Sequence, residues 1–585
     1  MGDLNRCSQV NKIINQGKKD HGVLFAGGVL IMLLSLYNIK NTTQMSVLND
    51  EFGYWANAAY FYGYDWSGVS FMSPYYSWGY SILLMPLFLT KNPIIRYQSA
   101  LVINAVLYLG SYLISYACIR RIYPSLKQYI SIFICIAAAL YSNNLLQANL
   151  AWGEGLLYLL FWAIFYVLLL IKEKPLKRYF ILLAFLSGYM YAVHQRSVGV
   201  VISVCLVLLI LKWKHKITLK ELAYFFLTLL MGLLFHTMIK SGIQEALWNA
   251  PDAMRVGVNE YSGQMYKLKV IFSDGEMFMF AVKGFCAKVF YLCASTCMLF
   301  VWGVIVFSKE ILITFRRRMQ ISAESLFCIL SVLTTLGINT IFNVRTYRID
   351  AILYGRYTEF VIGPFLLMGI SSLFRNKKLS KKTIGFSVGV FLLLGMFIKG
   401  YIHQGSDYLA TMSVGTSLFY NKELDEFAVR YAFGIPVLLG IIFILLSRAK
   451  KKYVSCLGVI PIVIFWSVSS NNVLKNTVNI WQEGVSELCN ISSVIEANDK
   501  DIPVYFVYNP DMEGVNWSVE RIQYQLEDRE IQHITYEEAN QLEEDCFIIH
   551  LLEYGFDMNK YKVAATGDYY YLFAPIEFDY KGLEE

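Results

Sequence analysis

Long apolar runs alternate with short polar breaks along most of the chain. Runs of roughly 17 to 22 residues, the length a helix needs to cross a hydrocarbon core, recur between residues 22 and 470. They predict helices at about 22–38, 98–119, 128–142, 153–171, 178–193, 197–211, 219–240, 285–307, 324–341, 357–374, 383–400, 432–447 and 453–470. One apolar segment, 76–89, is ambiguous: it either crosses or lies along the surface as an aromatic-rich helix. Charge resolves it, because cytoplasmic loops collect Lys and Arg. Left out of the crossing count, 76–89 puts every basic cluster on one side with Arg6, Lys12, Lys18 and Lys19 of the N-terminus. Those clusters are Arg120, Arg121 and Lys127; Lys172 to Arg178; Lys212 to Lys220; Lys309 to Arg318; Arg375 to Lys382; and Arg448 to Lys452. The opposite loops are sparse in positive charge and hold Asp50, Glu51, Glu154, Asp252, Asp274 and Asp350.

The expected fold is therefore an α-helical polytopic membrane protein of about thirteen transmembrane helices. Residues 1–21 form a cytoplasmic N-terminus, 22–470 a transmembrane module, and 76–89 a juxtamembrane helix. Outer loops fall at 39–97, 241–284, 342–356 and 401–431. The tail, 471–585, is acidic and has few long apolar runs. Strand-like segments at 502–508, 532–536 and 546–551 alternate with helical ones at 518–528 and 537–544. That alternation predicts a small C-terminal α/β domain on the extracytoplasmic side.

Composition agrees with a membrane chain: 56% of residues are hydrophobic and only 16% charged, against about a quarter charged in soluble proteins. The net charge of +7 resides in short loops and gives no nucleic-acid footprint. Eleven cysteines show no paired spacing and read as buried thiols. No small-residue cleavage site follows the first apolar run, so no cleaved signal peptide is expected.

Charged groups at the edge of a bilayer are costly, which marks them as functional candidates. Four constellations fall on the outer side. Asp50-Glu51 follows the first span; a carboxylate there can act as a general base, two adjacent acids can share a divalent cation, and either can simply cap a helix. Glu154 opens a later span, where an acid also suits a helix N-terminus. His194 and Arg196 sit in a very short outer turn; Arg196 can clamp a phosphate or snorkel to headgroups, and His194 suits a structural hydrogen bond. Arg345, Arg348 and Asp350 are followed by Arg356-Tyr357, and these arginines can neutralise a phosphate or pair with Asp350 and Glu359. The aromatics Tyr54, Trp55, Tyr60, Tyr62, Tyr64, Trp66, Tyr75, Tyr76 and Trp78 suit an interfacial belt, with a sugar-stacking wall as the other reading.

The order of these motifs resembles the GT-C superfamily of polyprenyl-phosphate-sugar glycosyltransferases, over about residues 22–375. Asn49-Asp50-Glu51 matches its first-loop acidic motif, and Pro74-Tyr75-Tyr76-Ser77-Trp78 its Pro-led juxtamembrane helix. Arg120-Arg121-Ile122-Tyr123 matches its basic inner turn, Glu154 its fourth-span acid, Gly188 to Arg196 its Gly-led span ending in a phosphate-binding residue, and Gly355-Arg356-Tyr357 its late Arg-Tyr motif. A single Pro replaces the usual pair, Glu154 an Asp and Arg196 a frequent Lys. The resemblance implies an inverting transferase in the cell membrane. Asp50 is then the catalytic base, and Glu51, Glu154, His194, Arg196, Arg345, Arg348, Arg356 and Tyr357 bind substrate. The implied partners are a polyprenyl-phosphate sugar, a lipid, glycan or protein acceptor, and the bilayer. No cofactor is required by this reading; a divalent cation on Asp50 and Glu51 stays an open option. A lipid-pyrophosphate oligosaccharide ligase or polymerase, and a non-enzymatic flippase or transporter, are the alternatives. The odd span count and the absence of an inverted repeat argue against transport.

Overall fold

The computed structural model describes residues 21–71, 75–248, 263–316, 322–344, 348–374, 380–447, 456–482, 485–509, 516–551, 559–567 and 570–582. Residues 1–20, Pro74, Asp252, Arg345 and the basic clusters at 317–318, 375–378 and 448–452 lie outside these.

Among the described residues, nine helices are long and apolar enough to cross a bilayer, which makes this a multi-pass membrane protein. They are α1 (His21–Asn41), α3 (Pro93–Ile122), α5 (Glu154–Glu173), α7 (Gln195–Trp213), α8 (Leu219–Leu247), α9 (Gly275–Ser295), α11 (Ala323–Phe342), α15 (Lys381–Ile402) and α16 (Val429–Ser447). Other elements of the module include α2 (Leu48–Tyr62), α4 (Gln128–Ala139), α6 (Lys177–Val193), α10 (Leu299–Arg316), α12 (Ile349–Leu353), α13 (Arg356–Glu359), α14 (Gly363–Phe374) and α17 (Ile460–Val473).

The expected count of thirteen is finer than these helices establish. Three of the remaining expected spans are short helices of 12, 17 and 14 residues, α4, α6 and α17. The fourth, 357–374, is broken: the α12–α13 segment and α14 meet at an 80° bend. The expected helix at 285–307 is likewise two, α9 and α10, interrupted at Cys297 and Met298, whose φ angles are 49° and 70°. Two consecutive left-handed residues end one helix and re-aim the next. The segment 76–89 forms only Ser81–Leu84 and a 3-10 turn Met85–Leu89, far short of the roughly 20 residues a crossing needs.

Close packing holds the broken span in place. A Cβ added to Gly303 on α10 would lie 2.2 Å from the Phe365 carbonyl oxygen on α14, and one on Gly369 would lie 2.1 Å from the Leu299 carbonyl oxygen. The two backbones therefore touch, the small-residue contact by which helices associate in lipid. The described cysteines are all free thiols, and Cys118, Cys135, Cys293, Cys297, Cys328 and Cys546 are buried.

The tail forms a five-stranded sheet with helices α18 (Val485–Glu496) and α19 (Val519–Leu526). Its strands are β1 (Val504–Val507), β2 (Ile531–Ile534), β3 (Phe547–Leu551), β4 (Tyr561–Thr566) and β5 (Tyr570–Pro575), in the order β2-β1-β3-β5-β4. The first three pair in parallel; β5 is antiparallel to β3 and β4. Every residue of the central β3 is buried, as a strand covered on both faces requires.

This unit docks on the first loop of the membrane module. Arg96 is fully buried, pairs with Glu527, donates to the Tyr524 carbonyl oxygen at 2.6 Å and stacks on Phe88 and Tyr524. Trp66 Nε1 donates to the Glu527 carbonyl oxygen at 2.7 Å. The Gln482 side chain accepts from the backbone of Thr43 and Gln44 and donates to Ser46 Oγ. Arg96→Ala leaves the Glu527 carboxylate without its cation. We expect a loss of about 3 kcal/mol and faster proteolytic release of the C-terminal unit in detergent; an unchanged cleavage rate would show that apolar contacts alone hold the dock.

Candidate active site

The first turn of α2 carries two acids side by side, as the positive end of a helix favours. They face opposite ways. Glu51 is fully buried. Its Oε1 accepts from the Ser46 and Val47 amides, each at 2.9 Å. Its Oε2 accepts from Tyr97 Oη at 2.5 Å and the Ala151 amide at 2.7 Å. Burial pushes this carboxyl up, and the four donors oppose that. Glu51 therefore ties the lead of α2 to α3 and to the 148–153 turn. It does not line the cavity, which corrects its expected contact with substrate.

Asp50 turns the other way, into a cavity of about 720 Å³. It accepts hydrogen bonds from Tyr76 Oη and from Arg356 Nη1. Arg356 also donates through Nε to Glu154 at 2.7 Å, and Glu154 accepts from Arg196 Nη2. The result is one chain of alternating charge, Arg196–Glu154–Arg356–Asp50. The three inner members are almost completely buried, and Asp50 alone reaches solvent, with a fifth of its side chain exposed. The Arg356 guanidinium lies 3.5 Å from the Trp152 ring centroid and that of Arg196 lies 4.5 Å from Tyr357. Neither arginine is among the residues that line the cavity; both stand behind Asp50. Arg196 Nε and Nη1 have no hydrogen-bond partner among the described residues.

Arg348 lies on the cavity wall instead. It forks onto Asp350 with bonds of 3.1 and 2.7 Å while 44% of its side chain stays exposed. His194 is buried; its Nδ1 accepts from the Arg196 amide at 3.2 Å, and its Nε2 has no partner among the described residues. Burial, with Arg196 and Arg356 nearby, holds His194 well below its ordinary range, so the ring is neutral. It packs between Tyr76 and Tyr357, at ring-centroid distances of 5.9 and 6.1 Å. Tyr357 lines the cavity with Tyr354, Ala351, Leu409 and Met412.

The first-loop aromatics are not a belt. Tyr54, Trp55, Trp66, Tyr75, Tyr76 and Trp78 are all buried, and only Tyr60 and Tyr62 are exposed. They are the packing core under the site, and of the whole set only Tyr76 borders the cavity. A close backbone approach places Tyr76: the Gly79 amide donates to the Ala192 carbonyl oxygen at 2.7 Å. A Cβ on Gly79 would meet the Val193 nitrogen at 2.6 Å. The obstruction is backbone and cannot rotate away. Gly79→Ala should therefore shift Tyr76 off Asp50 and lower turnover by about 10²-fold; full turnover in that variant would show that the Tyr76 contact is dispensable.

Asp50 and Glu51 engage separate partners, and Arg356 already supplies a positive charge at Asp50. The pair therefore does not fit a shared divalent ion. Among the described residues, no group of three or more His, Cys, Asp or Glu could hold a metal.

Sequence reasoning missed Met412, whose carbonyl oxygen accepts from the Gly355 amide at 2.9 Å. It also missed Trp481, Trp517 and Arg521, which reach the cavity from beyond the last membrane helix. Nothing in the local sequence of the tail marks those three.

No family model and no curated protein matches the sequence. Solved structures do. The crystal structure of ArnT from Cupriavidus metallidurans bound to undecaprenyl phosphate aligns with a TM-score of 0.52 at 10% identity, over 95% of this chain and 97% of that one. The apo state of the same protein aligns equally, over 98% of its chain. The Archaeoglobus fulgidus oligosaccharyltransferase tethered with an acceptor peptide aligns at 0.42 and 9% identity, over 91% of this chain and 69% of its own, a score too low to bear on the fold. The two ArnT alignments run nearly end to end on both chains. In fold, this protein is GT-C-like.

Proposed function

We propose that the protein is an inverting glycosyltransferase that moves a sugar from a polyprenyl-phosphate donor to an acceptor hydroxyl at the outer face of the cell membrane. The observation that carries this reading is Asp50, the one exposed end of a buried ion chain, set in the wall of a cavity where the membrane helices meet the C-terminal unit. The fold likeness to a protein captured with undecaprenyl phosphate supports the donor class.

In this reading Asp50 takes the proton of the acceptor hydroxyl. The oxygen attacks the anomeric carbon from the face opposite the phosphate, the carbon–oxygen bond to phosphate breaks, and its electron pair leaves with polyprenyl phosphate. One displacement inverts the anomeric centre. Arg348 and Arg521 both line the cavity; Arg521 donates to the Met45 and Trp481 carbonyl oxygens, and Arg348, the exposed one, is the guanidinium we assign to that phosphate. Arg356 and Arg196 position Asp50, Glu154 and Tyr357 from behind it. The basic clusters support a cytoplasmic N-terminus and an outer C-terminal unit.

The test is transfer of labelled sugar from a panel of undecaprenyl-phosphate sugars by purified protein, with and without chelator, against crude lipid and cell-wall acceptors. Release of polyprenyl phosphate that depends on Asp50 is the expected result. No turnover with any donor, from folded protein, would favour the pyrophosphate-linked ligase or the flippase. Arg348→Ala should weaken donor binding about tenfold or more, the worth of a charged hydrogen bond; unchanged donor affinity would return the phosphate to the buried arginines.

A further inference from the structure

The cavity wall is built by two parts of the chain. Arg348, Ala351, Tyr354 and Tyr357 come from the bent segment of the membrane module. Trp481, Trp517 and Arg521 come from beyond the last membrane helix. Trp481 lies in the 3-10 turn Ile480–Gln482, and Trp517 and Arg521 flank the start of α19.

Each part is fastened to a different neighbour. The bent segment is held by the 401–431 loop, where Ile349 donates to the carbonyl oxygens of Ser406 and Asp407. The other part bonds to the lead of α2. Arg521 Nη2 donates to the Met45 and Trp481 carbonyl oxygens at 3.3 and 3.1 Å, and Gln482 donates to Ser46. The two indoles thus line the cavity from the part fastened to the lead of α2, and Arg348 lines it from the bent segment. Both indoles are half-buried, and neither packs on another ring among the described residues. Rigid apolar faces of this kind suit a ligand with an apolar face of its own.

We propose that Trp481 and Trp517 form the acceptor platform of this site, and that the acceptor presents a sugar ring to them. This rests on the glycosyltransferase reading above. The donor's isoprenoid tail stays in the bilayer and its phosphate is assigned to Arg348, so the wall that the two indoles form is left for the acceptor. A hexose ring offers the axial C–H face on which an indole stacks. The C-terminal unit thereby selects the acceptor.

The experiment is calorimetric binding, without donor, of a panel of short glucans, galactans, mannans and N-acetylhexosamine oligosaccharides to the full-length protein in detergent. A soluble peptide library and phospholipid vesicles are run in parallel. We expect at least one saccharide to bind. Its affinity should fall about tenfold in Trp517→Ala and in Trp481→Ala, the worth of one aromatic stack. Trp517→Phe, which keeps an aromatic face, should retain more of the affinity than Trp517→Ala, with melting temperatures reporting the fold of each variant. Binding of no saccharide overturns the platform. So does saccharide binding indifferent to both tryptophans, or binding of peptide or vesicle alone. Because the readout needs no turnover, it separates from the reading beneath it: tryptophan-dependent binding with transfer that ignores Asp50 keeps the platform and removes the transferase.

Discussion

Asp50→Asn abolishes sugar transfer while the protein still inserts, folds and binds donor. The amide keeps the size of the carboxylate; its one oxygen can still accept from Arg356, and its NH2 can donate to Tyr76 Oη once that hydroxyl turns its own hydrogen away. What it loses is the ability to take a proton. A positioned general base contributes about 10²–10⁴-fold, and the loss should be at least that. Stability should change little. Asp50 is the one partly solvated member of the ion chain, and Arg356 keeps its bond to Glu154. Release of labelled polyprenyl phosphate gives the rate, and a melting curve in detergent gives the fold. Near-normal turnover in a folded variant would remove Asp50 from the chemistry.

Glu154→Ala has the opposite signature: it costs stability first and activity as a consequence. Glu154 is the shared partner of two guanidiniums that are almost completely buried. Its removal strands a net positive charge among Trp152, Tyr357 and Phe360. Breaking a buried pair by deleting one partner costs about 3–5 kcal/mol, far more than the pair itself contributes. A melting transition lowered by many degrees is expected, with Glu154→Gln intermediate because it keeps the shape and an acceptor. Arg356 then has Asp50 as its sole carboxylate, and the geometry at the cavity changes with it. An unshifted melting curve would mean that water, or a rearranged partner, reaches the two arginines.

The two substitutions separate roles that look alike in the sequence. Asp50, Glu51 and Glu154 are all acids near the ends of apolar runs, and each invites the same functional reading. Four protein donors and full burial make Glu51 a fastener, Glu154 is a hinge between arginines, and Asp50 alone opens on the cavity. The arginines sort in a similar way. Arg196 and Arg356 stand at the motif positions, yet Arg348 is the exposed one.

Much was legible without coordinates, for a physical reason. Lipid demands about 20 apolar residues per crossing, and it makes every charge near that boundary conspicuous. The membrane class, most of the helices and the set of candidate charges follow from that local pattern, and the strand–helix alternation of the tail is equally local. The tertiary structure decided what depends on partners distant in the chain. The breaks at Cys297–Met298 and between α13 and α14 rest on helix packing, which an apolar run does not encode. Burial of Tyr54, Trp55 and Trp78 rests on what covers them, and the same residues suit a belt equally well. The pairing of Asp50 with Arg356, 306 residues apart, and the arrival of Trp481 and Trp517 in the cavity wall, come from the docking of whole units. A residue's chemistry is written in its type; which atoms it faces is set by the fold.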